Sequence, residues 1–175
     1  MREDWLMLIA ELKSRFTSMV EEVRIPGEYS TDVPIFYVKK EGILDVLQYL
    51  KTVSGSGYEF LSDITATDEM GGEEKTHRFE VVYQLFSHQR KSRIRVKVRV
   101  KENEEVPTAV HLWNAANWAE REVWDMFGIR FSGHPNMRRI LMDSRWKGHP
   151  LRKDYPLRGY QIFPTPEEPD PKLLE

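Results

Sequence analysis

The residues with the greatest chemical potential in this sequence lie between Gly133 and Leu157, in the stretch GHPNMRRILMDSRWKGHPLRKDYPL. This stretch contains the triplet Gly-His-Pro twice and fills the gap with arginines and a tryptophan. Its two histidines suggest a metal or acid/base site, and its arginines suggest phosphate binding. A third interpretation is a docking surface that performs no chemistry.

Metal binding by His134 and His149 has weak support. Each histidine precedes a proline, which favours extended backbone, and the two lie far apart in a stretch without helical periodicity. Metal sites usually have ligand spacings that converge, and they add carboxylates or thiolates. The remaining histidines, His77, His88 and His111, are scattered through other elements. We therefore expect a chain that binds no metal.

Signatures of nucleophilic and nucleotide chemistry are missing. The chain contains no cysteine, which excludes disulfides, thiolate nucleophiles and iron–sulfur clusters bound by this chain. It has neither G-x-S-x-G nor G-x-x-x-x-G-K, and Ser144 beside Asp143 reads as a loop pair. If the protein serves redox chemistry, other chains must carry the cofactors.

Three carboxylates, Glu120, Glu122 and Asp125, lie close together in a predicted helix and resemble an acid/base cluster. Arg121 lies among them, and the sequence offers no partner site. A charged, solvated helix face is the simpler interpretation.

The stretch SRIRVKVRVK alternates apolar with basic residues. Its basic face could follow a phosphate backbone. A nucleic-acid surface would interleave stacking aromatic residues, whereas the alternate positions here are aliphatic core residues. Glu80, on a predicted neighbouring strand, could pair with this face. We favour a solvated or protein-facing sheet surface over a nucleic-acid site.

Gly133–Leu157, the docking segment, fits a protein interface better than a pocket. It carries many bases and only two acids, Asp143 and Asp154. Arginine, tryptophan and tyrosine are enriched at the centres of interfaces. We expect the histidines to orient the segment by hydrogen bonds. The bases expected to dock into another subunit, as surface charges that contribute little to folding, are Arg138, Arg139, Arg152 and Lys153.

Length and composition indicate one soluble domain. The chain has 175 residues, of which 40% are hydrophobic and 31% charged. No run approaches the roughly 18 apolar residues that span a bilayer. The start, MREDWLMLIAELKSRF, has acids where a signal peptide has bases. We expect a protein of the cytoplasmic side.

Hydrophobic periodicity predicts helices over 4–18 and 40–53. Strands are predicted over 20–25, 33–38, 58–66, 77–86 and 93–101, the last three as an antiparallel meander. A further helix over 118–127 should be capped by Asn117, with Glu120 bonding back to the cap and Gly128 ending the helix. This order predicts an α+β two-layer sandwich, with helices on one face of a mixed or antiparallel sheet.

Beyond Gly128 the periodicity disappears. We therefore predict an α+β domain over 1–128, followed over 129–175 by an extended, irregular docking segment and a proline-rich acidic tail. The tail should be polyproline-like and should order only against a partner.

The stretch NWAEREVWDMFGIRFSGHPNMRRILMDSRWKGHPLRKDYPLRGY, Asn117–Tyr160, closely resembles the signature of the C-type subunit of respiratory complex I, the 30 kDa subunit family of NADH:quinone oxidoreductase. The similarity includes EREVWDMFGI, both Gly-His-Pro triplets and HPLRKDYPL. The earlier stretch FLSDITATDE, Phe60–Glu69, also looks like that family. Trp124 stands where tyrosine is common in the family.

The resemblance implies a peripheral-arm protein that carries no cofactor and no catalytic residues. The complex would hold FMN, iron–sulfur clusters and quinone on other subunits, and would couple electron transfer to ion translocation. This chain would pack beside the D-type subunit, which forms the quinone site, and beside the B- and I-type iron–sulfur subunits. It would lie peripherally on the cytoplasmic side of the bacterial inner membrane.

Two other functions stay open. One is the equivalent subunit of a related membrane-bound hydrogenase-type complex, and the other is a free-standing module that binds nucleic acid or another polyanion.

The residues expected to contact partner subunits are Glu120, Arg121, Glu122, Asp125, His134, Arg138, Arg139, Trp146, His149, Arg152, Lys153, Asp154 and Tyr155.

Overall fold

A computed structural model describes residues 2–52, 57–71 and 77–159. The helices are α1 (Arg2–Arg15), α2 (Ile43–Thr52), which follows a 3₁₀ turn at Lys40–Gly42, and α3 (Ala116–Phe127). The strands are β1 (Val20–Arg24), β2 (Ile35–Val38), β3 (Phe60–Asp68), β4 (Phe79–Ser87), β5 (Ser92–Val100), β6 (Glu105–Pro107) and β7 (Arg130–Ser132).

The main sheet is mixed and has the order β1-β2-β5-β4-β3. Strands β3, β4 and β5 form the predicted antiparallel meander, with Tyr83 opposite Val96 at its centre. Strand β2 pairs parallel with β5 and antiparallel with β1. Because β2 and β5 are parallel, the chain crosses between them through α2 and the first two strands of the meander.

The helices pack on one face of this sheet. Leu8 and Leu12 of α1 join the same hydrophobic cluster as the apolar faces of α2 and α3. Alternate residues of the central strands, such as Tyr83 and Val96, complete this cluster and are fully buried. The α+β two-layer architecture predicted from the sequence is therefore confirmed.

Long charged side chains cover the opposite face of the sheet. Tyr37 is only 2% exposed there. Its ring lies 4.2 Å from the guanidinium of Arg99 and 4.7 Å from that of Arg24. The aliphatic stems of such side chains bury apolar surface while the charges stay in water.

The start of α3 differs from the prediction. The helix begins at Ala116, its N-cap residue is Ala115, and no side chain caps it. Asn117 and Glu120 therefore do not form the predicted capping pair. The turn before the helix provides other acceptors, since the amide of Ala116 bonds to the Trp113 carbonyl at 2.9 Å.

The end of α3 follows the prediction. Gly128 has φ = 79°, and its amide donates to the Trp124 carbonyl. The chain then forms β7, a short strand that the sequence pattern did not indicate, which pairs parallel with β6. From Gly133 to Gly159 the backbone consists of turns and irregular chain. The tail predicted to be polyproline-like lies outside the described residues.

In the described parts of the chain, none of the helices has the length and hydrophobicity needed to cross a bilayer.

Candidate docking site

The docking segment runs along α3 in the direction of the helix. Near the start of the helix, Nε2 of His134 lies 3.1 Å from the Asn117 carbonyl oxygen. One turn later, Arg121 donates from Nε and Nη2 to the carbonyls of Arg138 and Arg139, both at 3.0 Å. The segment is thus tied to the helix through main-chain groups as well as side chains.

Asp125 forms the central anchor. Its side chain is fully buried, and its Oδ2 atom accepts hydrogen bonds from the amides of Ile140, Leu141 and Met142, at 3.1, 2.9 and 2.9 Å. Its Oδ1 atom accepts a hydrogen bond from Arg139. Burial opposes the charge, but these donors outweigh burial and hold the pKa of Asp125 below its usual value. Asp125 therefore stays ionised inside the protein.

The docking segment also satisfies carbonyl groups at the end of α3. Nδ1 of His149 lies 3.0 Å from the Asp125 carbonyl oxygen, the amide of Leu151 donates to Met126 at 3.1 Å, and Nε of Arg152 donates to the carbonyl of Phe127. The last carbonyls of a helix have no partner within the helix, and they favour nearby positive charge. The segment therefore serves as a C-terminal cap.

Both histidines are held in place by contacts with backbone groups. Nδ1 of His134 accepts from the amide of Asn136 at 3.0 Å, so its proton lies on Nε2 and points to the Asn117 carbonyl. Burial, together with the nearby Arg152 and Arg139, lowers the pKa of His149. Within residues 2–52, 57–71 and 77–159, no cluster of histidines and carboxylates is suited to holding a metal ion.

A second anchor ties the segment to the sheet. Asp68, whose side chain is 2% exposed, accepts from the amides of Lys153 and Met70 at 2.9 and 3.0 Å. Arg78 lies between three carboxylates, at 3.3 Å from Asp68, 2.8 Å from Glu102 and 2.7 Å from Asp154. Burial opposes the charge of Arg78, but these carboxylates raise its pKa.

Glu120 faces the core. It is fully buried and accepts hydrogen bonds from the Thr108 hydroxyl at 2.6 Å and the Ala109 amide at 2.7 Å. Burial raises its pKa to about 7 despite both bonds. The buried Tyr83 hydroxyl lies near Glu120, so that an ionised Tyr83 would repel an ionised Glu120 and the pKa of Tyr83 is raised. The prediction that Glu120 and Asp125 belong to a solvated helix face is wrong, whereas Glu122 is exposed as predicted.

The predicted docking bases divide into two groups. Arg138 and Lys153 are exposed, as expected of surface charges. The side chains of Arg139 and Arg152 are only 14% and 20% exposed, so the expectation that they are surface charges is wrong. They are directed into the chain because buried carboxylate and carbonyl groups of α3 need donors.

The aromatic residues of the segment stack on each other. Trp146 and Tyr155 have ring centroids 6.2 Å apart and an interplanar angle of 24°. Sequence reasoning missed the exposed apolar side chains of Trp118, on α3 beside the segment, and of Leu141, within the segment. Only the placement of Trp118 away from the apolar stripe of α3 could have signalled the first of them.

Comparison with known proteins supports the resemblance seen in the sequence. The family described as "Respiratory-chain NADH dehydrogenase, 30 Kd subunit" matches residues 36–161. The C subunit of the NADH-quinone oxidoreductase of Citrifermentans bemidjiense is 47% identical over 152 residues, which are 86% of this chain and 89% of that protein. The combined C/D subunit of the NADH-quinone oxidoreductase of Pseudomonas aeruginosa is 41% identical over 168 residues, which are 90% of this chain and 27% of that protein.

Two solved structures resemble the fold. A trypsin-resistant fragment of Nqo5 is 31% identical, with a TM-score of 0.62 over 75% of this chain and 98% of the fragment. A chain of a membrane-bound sulfane sulfur reductase, an archaeal respiratory membrane complex, is 25% identical, with a TM-score of 0.69 over 93% of this chain and 95% of that chain.

Proposed function

This chain belongs to the 30 kDa subunit family of respiratory-chain NADH dehydrogenases, and we propose that it is a non-catalytic, cofactor-free subunit of the peripheral arm of NADH:quinone oxidoreductase. It holds the quinone-site subunit and the iron–sulfur subunits together, on the cytoplasmic side of the inner membrane. The observation that carries this proposal is the docking segment, an irregular basic and aromatic stretch fixed along α3 by buried groups.

The fixed backbone of the segment supports a docking role. The buried carboxylate of Asp125 accepts hydrogen bonds from the amides of Ile140, Leu141 and Met142. The buried carboxylate of Asp68 accepts a hydrogen bond from the amide of Lys153. A stretch without regular structure thereby keeps one shape before a partner arrives. Binding then costs less conformational entropy than binding by a mobile loop would.

The proposed partner subunits are inferred from the related proteins. A Pseudomonas relative carries C and D together in its name, which supports a D-type subunit as a direct neighbour. We extend the partners to the B- and I-type iron–sulfur subunits, because a protein that docks beside the quinone site also lies near the final electron carriers.

Burial supports a non-catalytic role. The carboxylates of Glu120 and Asp125 are fully buried and therefore out of reach of a substrate. Both histidines bind backbone groups. These side chains orient the backbone, whereas the side chains of a catalytic site must be accessible to a substrate. We expect the purified chain to be colourless and metal-free by absorbance and elemental analysis.

The second candidate is the equivalent subunit of a related membrane-bound complex of the hydrogenase type. The observation that favours it is the similarity to the chain of the archaeal sulfane sulfur reductase, which covers 93% of this chain. Both candidates give the chain the same structural role and differ in the electron donor and acceptor of the other subunits.

Binding of nucleic acid is disfavoured because acids neutralise the basic face of β5. Arg95 pairs with Asp32 at 2.8 Å, and Lys97 pairs with Glu80 at 2.9 Å. A surface that follows a phosphate backbone needs bases that are free to replace counterions.

The test is purification of the complex from source membranes through an affinity tag on this chain. We expect the D-, B- and I-type subunits to copurify and to stay bound as the salt concentration rises, because a desolvated interface depends little on salt. Removal of the gene should abolish quinone reduction by membranes, and the tagged chain should restore it. A chain that elutes alone, or binds DNA with log-linear salt dependence, would overturn the proposal.

A further inference from the structure

Trp118 of α3 and Leu141 of the docking segment are large apolar side chains that stay exposed where these two elements meet. Trp118 is 63% exposed and Leu141 is 59% exposed. Leu141 lies level with Asp125, to which its amide bonds. Because a helix rises 1.5 Å per residue, the level of Asp125 is roughly 10 Å along the axis from Trp118. Exposed tryptophan is uncommon on a protein surface, and a pair at this spacing suggests a contact site.

Trp118 is held in place by a fixed neighbour. The guanidinium of Arg121 lies over its ring, 5.2 Å from the centroid. That guanidinium is itself bound to the carbonyls of Arg138 and Arg139, both at 3.0 Å. The tryptophan therefore rests on a cation whose rotamer is set by the docking segment.

Leu141 is presented by a rigid turn. Its amide and those of Ile140 and Met142 all bond to Oδ2 of the buried Asp125. These bonds fix the backbone on both sides of Leu141, while its side chain points away from the protein. Because this backbone is already ordered, binding costs little beyond ordering the Leu141 side chain itself, which favours a strong contact.

We propose that Trp118 and Leu141 are a preorganised pair of anchors that inserts into an apolar recess of the D-type subunit, with the exposed Arg138 opposite a carboxylate at the rim. This proposal rests on the proposed function. Binding hot spots are enriched in tryptophan and cluster near the centre of an interface, where surrounding residues exclude water. The exposed Glu122, one turn from Trp118, makes the rim mixed in charge and favours a protein partner over an anionic membrane surface.

The joined C/D relative supports the choice of occupant. In that protein the residues that match this chain make up only 27% of the length. The rest of the same polypeptide is therefore much longer than this chain. The joining of the C- and D-type subunits in one polypeptide favours an arrangement in which they lie side by side in the folded complex. A second copy of this chain and a lipid surface are the other possible occupants, and the experiment distinguishes them.

The experiment uses the full-length chain and the complex from which it has been stripped. We expect Trp118→Ala and Leu141→Ala each to weaken rebinding about tenfold or more. The matched controls are Leu6→Ala and Met7→Ala on α1, which are 53% and 65% exposed in the native chain and should rebind within twofold. Circular dichroism and the melting temperature should be unchanged in all four variants. The Arg138→Glu variant should bind more weakly than Arg138→Ala, since only the former places like charges together.

Three outcomes would overturn the inference. The anchors are wrong if the wild-type chain rebinds but the Trp118 and Leu141 variants do so equally well, and the proposed function then survives. The occupant is wrong if these variants instead abolish self-association in sedimentation, or binding to anionic vesicles. Failure of the wild-type chain to rebind any subunit would overturn both proposals. If Trp118→Ala unfolds, the Leu141 and Arg138 variants decide the question.

Discussion

Asp125 of α3 and Arg139 of the docking segment form an ion pair in which a fully buried carboxylate meets a guanidinium that is 14% exposed. The same guanidinium donates to the Gly148 carbonyl at 2.9 Å. One arginine thus joins the helix to two parts of the segment. Part of the basic character of the segment therefore serves the fold of this chain, and only the exposed residues around it are accessible to another protein.

The Arg139→Ala variant should lose about 3–5 kcal/mol of the free energy of unfolding, because it leaves the charge of Asp125 buried without its ionic partner. Urea denaturation of the isolated chain measures this loss. The matched control is Arg138→Ala, whose exposed side chain should contribute only about 0–1 kcal/mol. Equal midpoints for the two variants would show that the ion pair does not stabilise the fold.

The Gly128→Ala variant should be strongly destabilised. Gly128 has φ = +79°, and an added Cβ would lie 2.6 Å from atoms of both His149 and Arg152. Gly159→Ala is the control, because Gly159 has φ = +65° but no atom within 4 Å of the added Cβ. The control should cost about 1–2 kcal/mol from backbone conformation alone. The larger loss at Gly128, measured by urea denaturation, would report displacement of the docking segment.

Glu120 should make the stability of the chain depend on pH. Burial raises its pKa from 4.5 to about 7 in the folded state. Its protonated form is therefore favoured by folding, and the stability that it contributes is complete below about pH 4.5 and is lost as the pH rises through about 7. The Glu120→Gln variant, which stays neutral, should gain up to about 3 kcal/mol relative to the wild-type chain between pH 4.5 and pH 8.

Urea denaturation at a series of pH values tests this dependence. Glu122→Gln serves as the control, because Glu122 is exposed on the same helix and its variant should follow the wild-type profile. A Glu120→Gln profile parallel to that of the wild-type chain would show that Glu120 titrates normally in the folded protein.

The sequence predicts the sheet and its helices well because their signals are local. The alternation of SRIRVKVRVK places Val96 and Val98 in the core and Arg95 and Lys97 on the outer face, since successive side chains in a strand point to opposite faces. The stop of α3 at Gly128 is equally local, because glycine adopts the left-handed conformation without steric cost.

The contacts of the docking segment could not be predicted in the same way. Asp125 bonds to amides 15 to 17 residues later, and no periodic pattern marks a carboxylate that binds irregular backbone. Because a charged residue in a helix is usually solvated, sequence reasoning places Glu120 and Asp125 at the surface. Likewise, the arginines indicate an interface, but sequence alone does not show which guanidinium groups are used within the chain.

Two of the buried carboxylates, Asp68 and Asp125, should control different parts of the docking segment. Asp68 accepts the Met70 amide on Oδ1 and the Lys153 amide on Oδ2. In Asp68→Asn one of these oxygens becomes an amide nitrogen, which cannot accept a hydrogen bond. Hydrogen exchange at Met70 or Lys153 should therefore become about tenfold faster or more, because an amide that loses its acceptor opens more readily.

Asp125→Asn provides the reciprocal comparison. It should speed exchange at Ile140, Leu141 and Met142, whose amides bond to the carboxylate of Asp125, and should leave Lys153 unchanged. If the segment instead opened as one unit, each variant would speed exchange at both sets of amides equally. Separate responses would show that the segment is held by two independent anchors, so that a partner could displace the part near Lys153 while Leu141 stays fixed on α3.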